Sequence, residues 1–337
     1  MVVQVLDELT AKSHASSMTV VGNPTMISLL LDVPLDKLAY APYSLPWTGG
    51  ASVQLSATLP EMYVPVLLGP FVGADVSAGI ALLWSGGARY PYLLADFGTN
   101  GEFVLALDEE RYLACSVPMG PALEGVGLAC GAVAAENVLN SVTLTPDGVH
   151  WNCAGPLVGI SGTGYISLLS VLKRVGLVDP CGHFKRSLLP LGQKMAERFD
   201  VRPVGRVFRL EADVYLAEKD VEEFLKAKAA VNVAVRTLLD QGGIDANTVD
   251  RIYLAGALGG HVLEDDLFEL GFFPETCRGK IECIGNSALR GAHQIHVNDS
   301  IRQWSESLPQ MVSILDLVDD QEFAARFFQA MQFSWVQ

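Results

Sequence analysis

Residues 93–107 read LLADFGTNGEFVLAL. An apolar run ends on Asp96, a short glycine-containing turn follows, and a second apolar run opens at Glu102. That pattern is a strand, a tight turn and a strand. Gly98 and Gly101 allow the chain to turn sharply and to approach a ligand with no Cβ in the way. Turn N–H groups aimed inward form a nest for an anion. Thr99 and Asn100 add side-chain hydrogen-bonding groups, and Asp96 is placed to hold a metal ion, directly or through water, beside bound phosphates. The same letters also fit an ordinary hairpin, because Asn-Gly is the strongest short-range hairpin signal.

The rhythm of this segment recurs. MTVVGN at 18–23, RIYLAG at 251–256 and IECIGN at 281–286 are short apolar runs ending at or just before glycine. Strand, glycine and helix start in alternation describe an α/β architecture, in which ligands bind at the carboxyl ends of strands. Three helices are expected. DVEEFLKAKAAVNVAVRTLLDQGG opens on Asp220 with Glu223 three positions on, a capping-box arrangement with Asp as the cap. Phe224, Leu225, Lys228, Val231, Val235 and Leu238 follow at helical intervals, and Gly242 and Gly243 stop it. GYISLLSVLKRVG predicts a helix from about Tyr165 to Arg174, ending at Gly176. QEFAARFFQAMQF is apolar enough on one side to dock as a terminal helix. PDGVHWN at 146–152 reads as a hairpin turn, and Pro42, Pro46, Trp47, Gly49 and Gly50 mark a loop.

A weak internal repeat adds to this. VVGNPTM at 20–26 parallels YLAGALG at 253–259, and FVGADVSAGI parallels CIGNSALRGA, with Gly73 and Gly79 spaced like Gly285 and Gly291. Duplicated glycines suggest two related halves facing one cleft. In the second half the DFGTNG hairpin precedes the YLAG strand by more than a hundred residues, whereas only 17 residues precede Met18 and they hold no Asp-x-Gly-Thr. The first half therefore lacks its hairpin.

Other segments offer chemistry with competing structural readings. In AGALGGH at 255–261, Gly256, Gly259 and Gly260 would let a base or ribose lie against the backbone, or they form a plain strand–helix turn. His261 reads as a surface or capping residue. ISGTG at 160–164 opens a helix, whose N-terminus attracts anions, yet it is neither a Walker A loop nor a dinucleotide fingerprint. SVPMGPALEG at 116–125 is a cleft loop or a connector, with Glu124 inside it. Asp75 in VGAD, following an apolar strand, is placed as a base or metal partner, or it caps a turn. Lys226 and Lys228 are solvated helix lysines, or one of them lies over a nucleotide.

The chain has 337 residues, half of them hydrophobic and 18% charged, with a net charge of −15. That composition supports a sizeable core and argues against disorder. No basic stripe is present for nucleic acid. No stretch approaches the roughly 20 apolar residues of a membrane span, and MVVQVLDELT is not a signal peptide, so a cytoplasmic location is expected. Cys115, Cys130, Cys153, Cys181, Cys277 and Cys283 form no CxxC pair and show no zinc or iron–sulfur spacing, so reduced, mostly buried cysteines are expected.

In this order the segments resemble the C-terminal ATPase region of the reductive activators of corrinoid proteins. These belong to the superfamily of acetate and sugar kinases, heat-shock chaperones and actin (ASKHA). The resemblance runs from about residue 18 to 293 through VVGNPTMISLLL, FVGADVSAGI, LLADFGTNGEFVLAL, GPALEGVGLACG, ISGTGYISLLSVLKRVGLVD, KAKAAVNVAVRTLL, YLAGALGGH and IGNSALRGA. It implies an α/β, actin-like (ribonuclease H-like) fold of two related lobes, the first incomplete. Residues 1–90 would be the remainder of the first half, 91–300 the second half and 301–337 a C-terminal helical segment. It implies ATP and Mg as cofactors. Asp96, Gly98, Thr99, Asn100 and Gly101 would form the second phosphate loop, with Asp96 also the metal ligand. Gly256, Gly259 and Gly260 would match the adenosine segment; from the residues themselves, Lys228 is read as lying over the nucleotide and Asp75, with Asp96, as catalytic. The implied partner is a corrinoid protein or corrinoid-dependent methyltransferase, with a separate electron donor and possible homo-oligomers. The family pattern AGGFG is AGALG here, CGSG is ISGTG, and the iron–sulfur domain and first phosphate loop are missing. Those departures leave three readings: a fragment, a chain completed by a partner subunit, or a corrinoid-protein-binding module that has lost hydrolysis. A small-molecule kinase of the same superfamily is a further option, with Asp75 as its base.

Overall fold

Strand β1, Tyr92–Phe97, is buried along nearly its whole length, as expected for a strand covered on both faces. It belongs to a six-stranded sheet with β2 Asn100–Ala106, β3 Tyr112–Pro118, β4 Arg251–Gly256, β5 Ile281–Gly285 and β6 Val312–Ile314, in the order β5-β4-β1-β2-β3-β6. β4 pairs in parallel with β5, and β6 in parallel with β3. The computed structural model describes residues 2–151, 153, 155–256, 262–317 and 322–336. Among these, no helix is long and apolar enough to cross a membrane.

The chain divides into two compact units that are discontinuous in sequence, where the sequence reading drew contiguous segments. One comprises Met1–Leu94, Val104–Ser116 and Asn286–Leu315, and the other Ala95–Phe103, Val117–Gly285 and Asp316–Gln337.

In the first unit a three-stranded sheet has Glu61–Val64 at its centre, parallel to Ser17–Thr19 and antiparallel to Ala51–Val53. The expected MTVVGN strand is thus shorter than its apolar run, and a helix, Val2–Ser13, precedes it. The Asn23 side chain accepts the Met26 N–H (2.9 Å) and caps helix Pro24–Leu30, with Pro24 in the first turn where its missing N–H costs nothing. Ile27, Met62, Val64, Leu67 and Ala74 form the core beneath. Helices Ala74–Ser85 and Ser287–Val297 cross at the glycines that the repeat matches. A Cβ on Gly291 would fall 1.9 Å from the Ala78 carbonyl oxygen, and one on Gly79 would meet Leu94 at 3.1 Å and Ser287 at 3.3 Å. Ala78, Ala81 and Ile295 fill the crossing, and Trp84 stacks on Trp304 at 4.1 Å.

In the second unit, helix Gly162–Arg174 starts three residues before the expected Tyr165, because Ser161 Oγ accepts the Gly164 N–H (3.2 Å). Cβ atoms on Gly162 and Gly164 would lie 1.8 Å from the Leu123 carbonyl oxygen and 1.9 Å from that of Leu139. The ISGTG glycines therefore serve close packing. The long helix spans Glu218–Gly242 and begins two residues before Asp220. Ala217 precedes it without a side-chain acceptor, so Asp220 reaches back from the first turn to the N–H groups of Ala217 (3.3 Å) and Ala129 (3.2 Å). Burial raises the Asp220 pKa. Gly243, left-handed at φ 65°, ends the helix. Thr143–Thr145 and Gly148–His150 form the expected hairpin.

The terminal helix, Phe323–Ala330, docks on the long helix through a residue that the sequence reading placed elsewhere. Lys228 is fully buried, and its Nζ donates to Asn232 Oδ1 (2.9 Å), the Ala330 carbonyl (3.1 Å) and the Ser334 carbonyl. Asn232 in turn donates to the Gly271 carbonyl (2.8 Å). Lys228 is neither a solvated lysine nor free to cover a nucleotide. Burial, and secondarily the charge of Lys173, pull its pKa down to about 7.

Two outcomes follow from this packing. Gly291→Ala gains helix propensity of roughly 1 kcal/mol yet should lose about 1–3 kcal/mol net in urea titrations, because the obstacle is backbone. For Lys228, an unfolded chain keeps its ammonium up to about pH 10.4 whereas the folded chain sheds the proton above the depressed value. Unfolding free energy should therefore rise with pH from about 7 to about 10. Lys228→Met should remove that rise from denaturation curves measured across the same window.

Candidate functional site

β1 ends at Phe97 and β2 begins at Asn100, so Gly98 and Thr99 make the turn. Asn100 and Gly101 already lie in the outgoing strand, which corrects the ordinary Asn-Gly hairpin reading. The Gly98 N–H donates to the Asn100 carbonyl (3.1 Å) and the Met119 N–H to the Thr99 carbonyl (3.2 Å). Alternation along the strand puts Asp96 and Phe97 on opposite faces. Phe97 is buried, parallel to Phe273 at 6.4 Å between centroids and within 6.3 Å of both Phe272 and Phe103. One face of the hairpin is thereby anchored in an aromatic cluster, while Thr99 and Asn100 are exposed.

Gly256, the last residue of β4, is pressed against this turn. Its φ is +85°, and a Cβ there would sit 2.4 Å from the Phe97 carbonyl oxygen and 2.6 Å from Asp96 Oδ1. Only glycine meets both demands. Gly101 has a different reason: its Cβ would strike Met119 and the Phe103 ring, each at 2.7 Å, so it serves packing rather than ligand approach. Gly98 is under neither constraint. Its φ is not left-handed, and among the described residues a Cβ would meet the Asn100 carbonyl at 3.4 Å and Glu124 Oε1 at 3.9 Å, both ordinary contacts. The described residues thus leave room beside Gly98 for at least a Cβ.

A carboxylate absent from the sequence-based set faces the same turn. Thr99 Oγ1 donates to Glu124 Oε2 at 2.8 Å. Glu124 ends a short 3-10 turn, Pro121–Glu124, bounded by two glycines at φ 74°, Gly120 and the left-handed Gly125. The GPALEG motif was visible in the sequence, but nothing local said that it returns to the hairpin.

The second unit thus brings together Asp96, Gly98, Thr99, Asn100, Glu124 and Gly256. Gly259, Gly260 and His261 lie outside the described residues. Lys228 is committed to the C-terminal segment. Asp75 belongs to the other unit, in the first turn of helix Ala74–Ser85, where it accepts the Val76 N–H (2.9 Å) and burial raises its pKa. It follows a tight Gly69–Val72 bridge rather than the expected strand.

The Gly98 N–H is taken by the Asn100 carbonyl, which leaves the Thr99 N–H, and its hydroxyl if released from Glu124, as the groups of the turn that suit phosphate oxygens. Asp96 and Glu124 are hard oxygen donors of the kind magnesium takes alongside phosphates and water. No group of three His, Cys, Asp or Glu side chains among the described residues is arranged to hold a metal by itself. An ion here would need the phosphates to complete its shell, and the donor set fits a magnesium nucleotide. A cavity of about 820 Å³ in the same unit includes none of the hairpin residues, and its cations, Lys173 and Arg236, are paired with Glu269 and Asp240.

Comparison with known proteins gives one consistent answer. A corrinoid activation enzyme, RamQ, of Eubacterium limosum is 27% identical over 330 residues, covering 93% of this chain and 55% of its own length. The [Co(II) methylated amine-specific corrinoid protein] reductase of Methanosarcina barkeri is 27% identical over 329 residues, 86% of this chain and 57% of the reductase. The chain spans little more than half the length of these curated relatives. A solved structure, a reductive activator for corrinoid, iron-sulfur protein, matches 98% of this chain and 55% of its own, with a TM-score of 0.86 and 25% identity. The family described as the C-terminal domain of RACo, the ASKHA domain, matches residues 91–336. That is most of the chain, which belongs to this family of C-terminal ASKHA domains.

Proposed function

We propose that the chain is the nucleotide-binding part of an ATP-dependent activator that returns a corrinoid protein, or a corrinoid-dependent methyltransferase, to its reduced state. The observation that carries this reading is the hairpin with Gly256 pressed against Asp96, in a chain whose relatives are named for corrinoid activation and corrinoid-protein reduction. The Thr99 N–H and Oγ would hold phosphate oxygens. The Asp96 carboxylate would orient the magnesium ion, directly or through water. Magnesium, when bound, neutralises charge developing on the phosphates. Chemistry of this kind is positional and electrostatic rather than covalent. The electron is assigned to a separate donor, since the six cysteines are dispersed along the chain.

ATP-Mg should bind in calorimetry, and Asp96→Ala and Thr99→Ala should each weaken it at least about tenfold, roughly 1.4 kcal/mol. No binding by the unmodified chain at millimolar ATP would sink the nucleotide assignment. Binding without turnover would favour the alternative, a corrinoid-protein-binding module that has lost hydrolysis. The chain should also retain a corrinoid protein in a pull-down, in its oxidised or its reduced form. Capture of neither removes the partner assignment.

A further inference from the structure

Resting on the nucleotide reading above, we propose that Glu124 makes phosphate binding at the hairpin conditional on a divalent cation. Glu124 Oε2 takes the Thr99 hydroxyl at 2.8 Å, and Oε1 lies 3.9 Å from the point where a Gly98 Cβ would be. One carboxylate therefore borders the open space at Gly98 and occupies the side-chain donor of the turn. Among the described residues it has no cationic partner to offset its charge.

The backbone that carries this carboxylate is held in place. Leu123, the preceding residue, is buried, and its carbonyl oxygen is 1.8 Å from where a Cβ on Gly162 would sit. Gly125, the next residue, would carry its Cβ 2.6 Å from the Ala132 carbonyl oxygen. The backbone on both sides of Glu124 is thus wedged against neighbouring backbone. A metal-free phosphate entering at Gly98 meets the negative charge of that carboxylate at short range. A divalent cation held by that carboxylate would reverse the sign. Magnesium suits this arrangement because it binds through one or two carboxylates and completes its shell with phosphates and water. The same residue that opposes bare ATP then favours ATP-Mg.

The test is the dissociation constant of ATP, measured by calorimetry in excess magnesium and in EDTA, for the unmodified chain, Glu124→Gln and Glu124→Asp. The unmodified chain should bind far more tightly with magnesium. Glu124→Gln should bind metal-free ATP more tightly and ATP-Mg more weakly than the parent, shrinking the ratio of the two constants by about tenfold or more. Glu124→Asp, which keeps the charge, should keep most of the ratio. A merely structural role would move both constants the same way. An unchanged ratio in Glu124→Gln overturns the proposal and leaves the nucleotide site standing. Absence of binding to the unmodified chain in both conditions overturns the nucleotide reading and this inference with it. As a second readout, the paramagnetic resonance spectrum of Mn²⁺ bound with ATP should show one carboxylate ligand fewer in Glu124→Gln than in the unmodified chain. Identical carboxylate coordination in the two counts against the proposal.

Discussion

Phe97 anchors the hairpin of the candidate site. Its ring lies among Phe103, Phe272 and Phe273, and its carbonyl oxygen is the surface on which Gly256 rests. A turn of two residues has almost no internal means of holding its own shape. The apolar anchor one residue before it supplies that means, through burial and ring packing that do not depend on any ligand. Asp96, on the opposite face, inherits a fixed direction from a neighbour that never meets solvent. Asp96 is thus placed by an apolar neighbour, independently of any ligand.

The second unit extends this principle outward. Backbone approaches that only glycine permits bring β4 onto the hairpin at Gly256 and helix Gly162–Arg174 onto the Glu124 turn at Gly162. Asp220 ties the start of the long helix to Ala129, a few residues beyond that turn. The long helix is tied to the C-terminal segment through Lys228, which donates to the Ala330 carbonyl, and Asn232, whose Oδ1 accepts the Val336 N–H. Each link is a short contact between parts of the chain far apart in sequence.

That distribution explains what could be read from the letters alone. The strands β1 and β4, the hairpin, the capped helices and the terminal helix carry local signals, in apolar runs, cap residues and turn glycines, and they appear close to where those signals put them. Helix starts moved by two or three residues where the cap lay outside the apolar pattern, at Ser161 and Ala217. The turn itself moved because Asn-Gly is a strong hairpin signal that β2 absorbs as its first two residues. Lys228 was illegible, since the oxygens that enclose it include two from residues 330 and 334. Glu124 was visible as a residue but not as a neighbour of Thr99, 25 positions away. Local physics decides elements, whereas long-range approach decides which polar groups meet.

The glycines also differ in how forgiving they are, and the difference lies in what stands opposite each one. At Gly101 the obstacles are the side chains of Met119 and Phe103, which a second substitution can shrink. At Gly162 and Gly291 the obstacles are the carbonyl oxygens of Leu123 and Ala78, which every amino acid carries. A lesion at Gly101 should therefore have suppressors nearby in space. Lesions at Gly162 and Gly291 should have none that act by making room, so drift within the family has a reversible path at one position and a closed one at the other two.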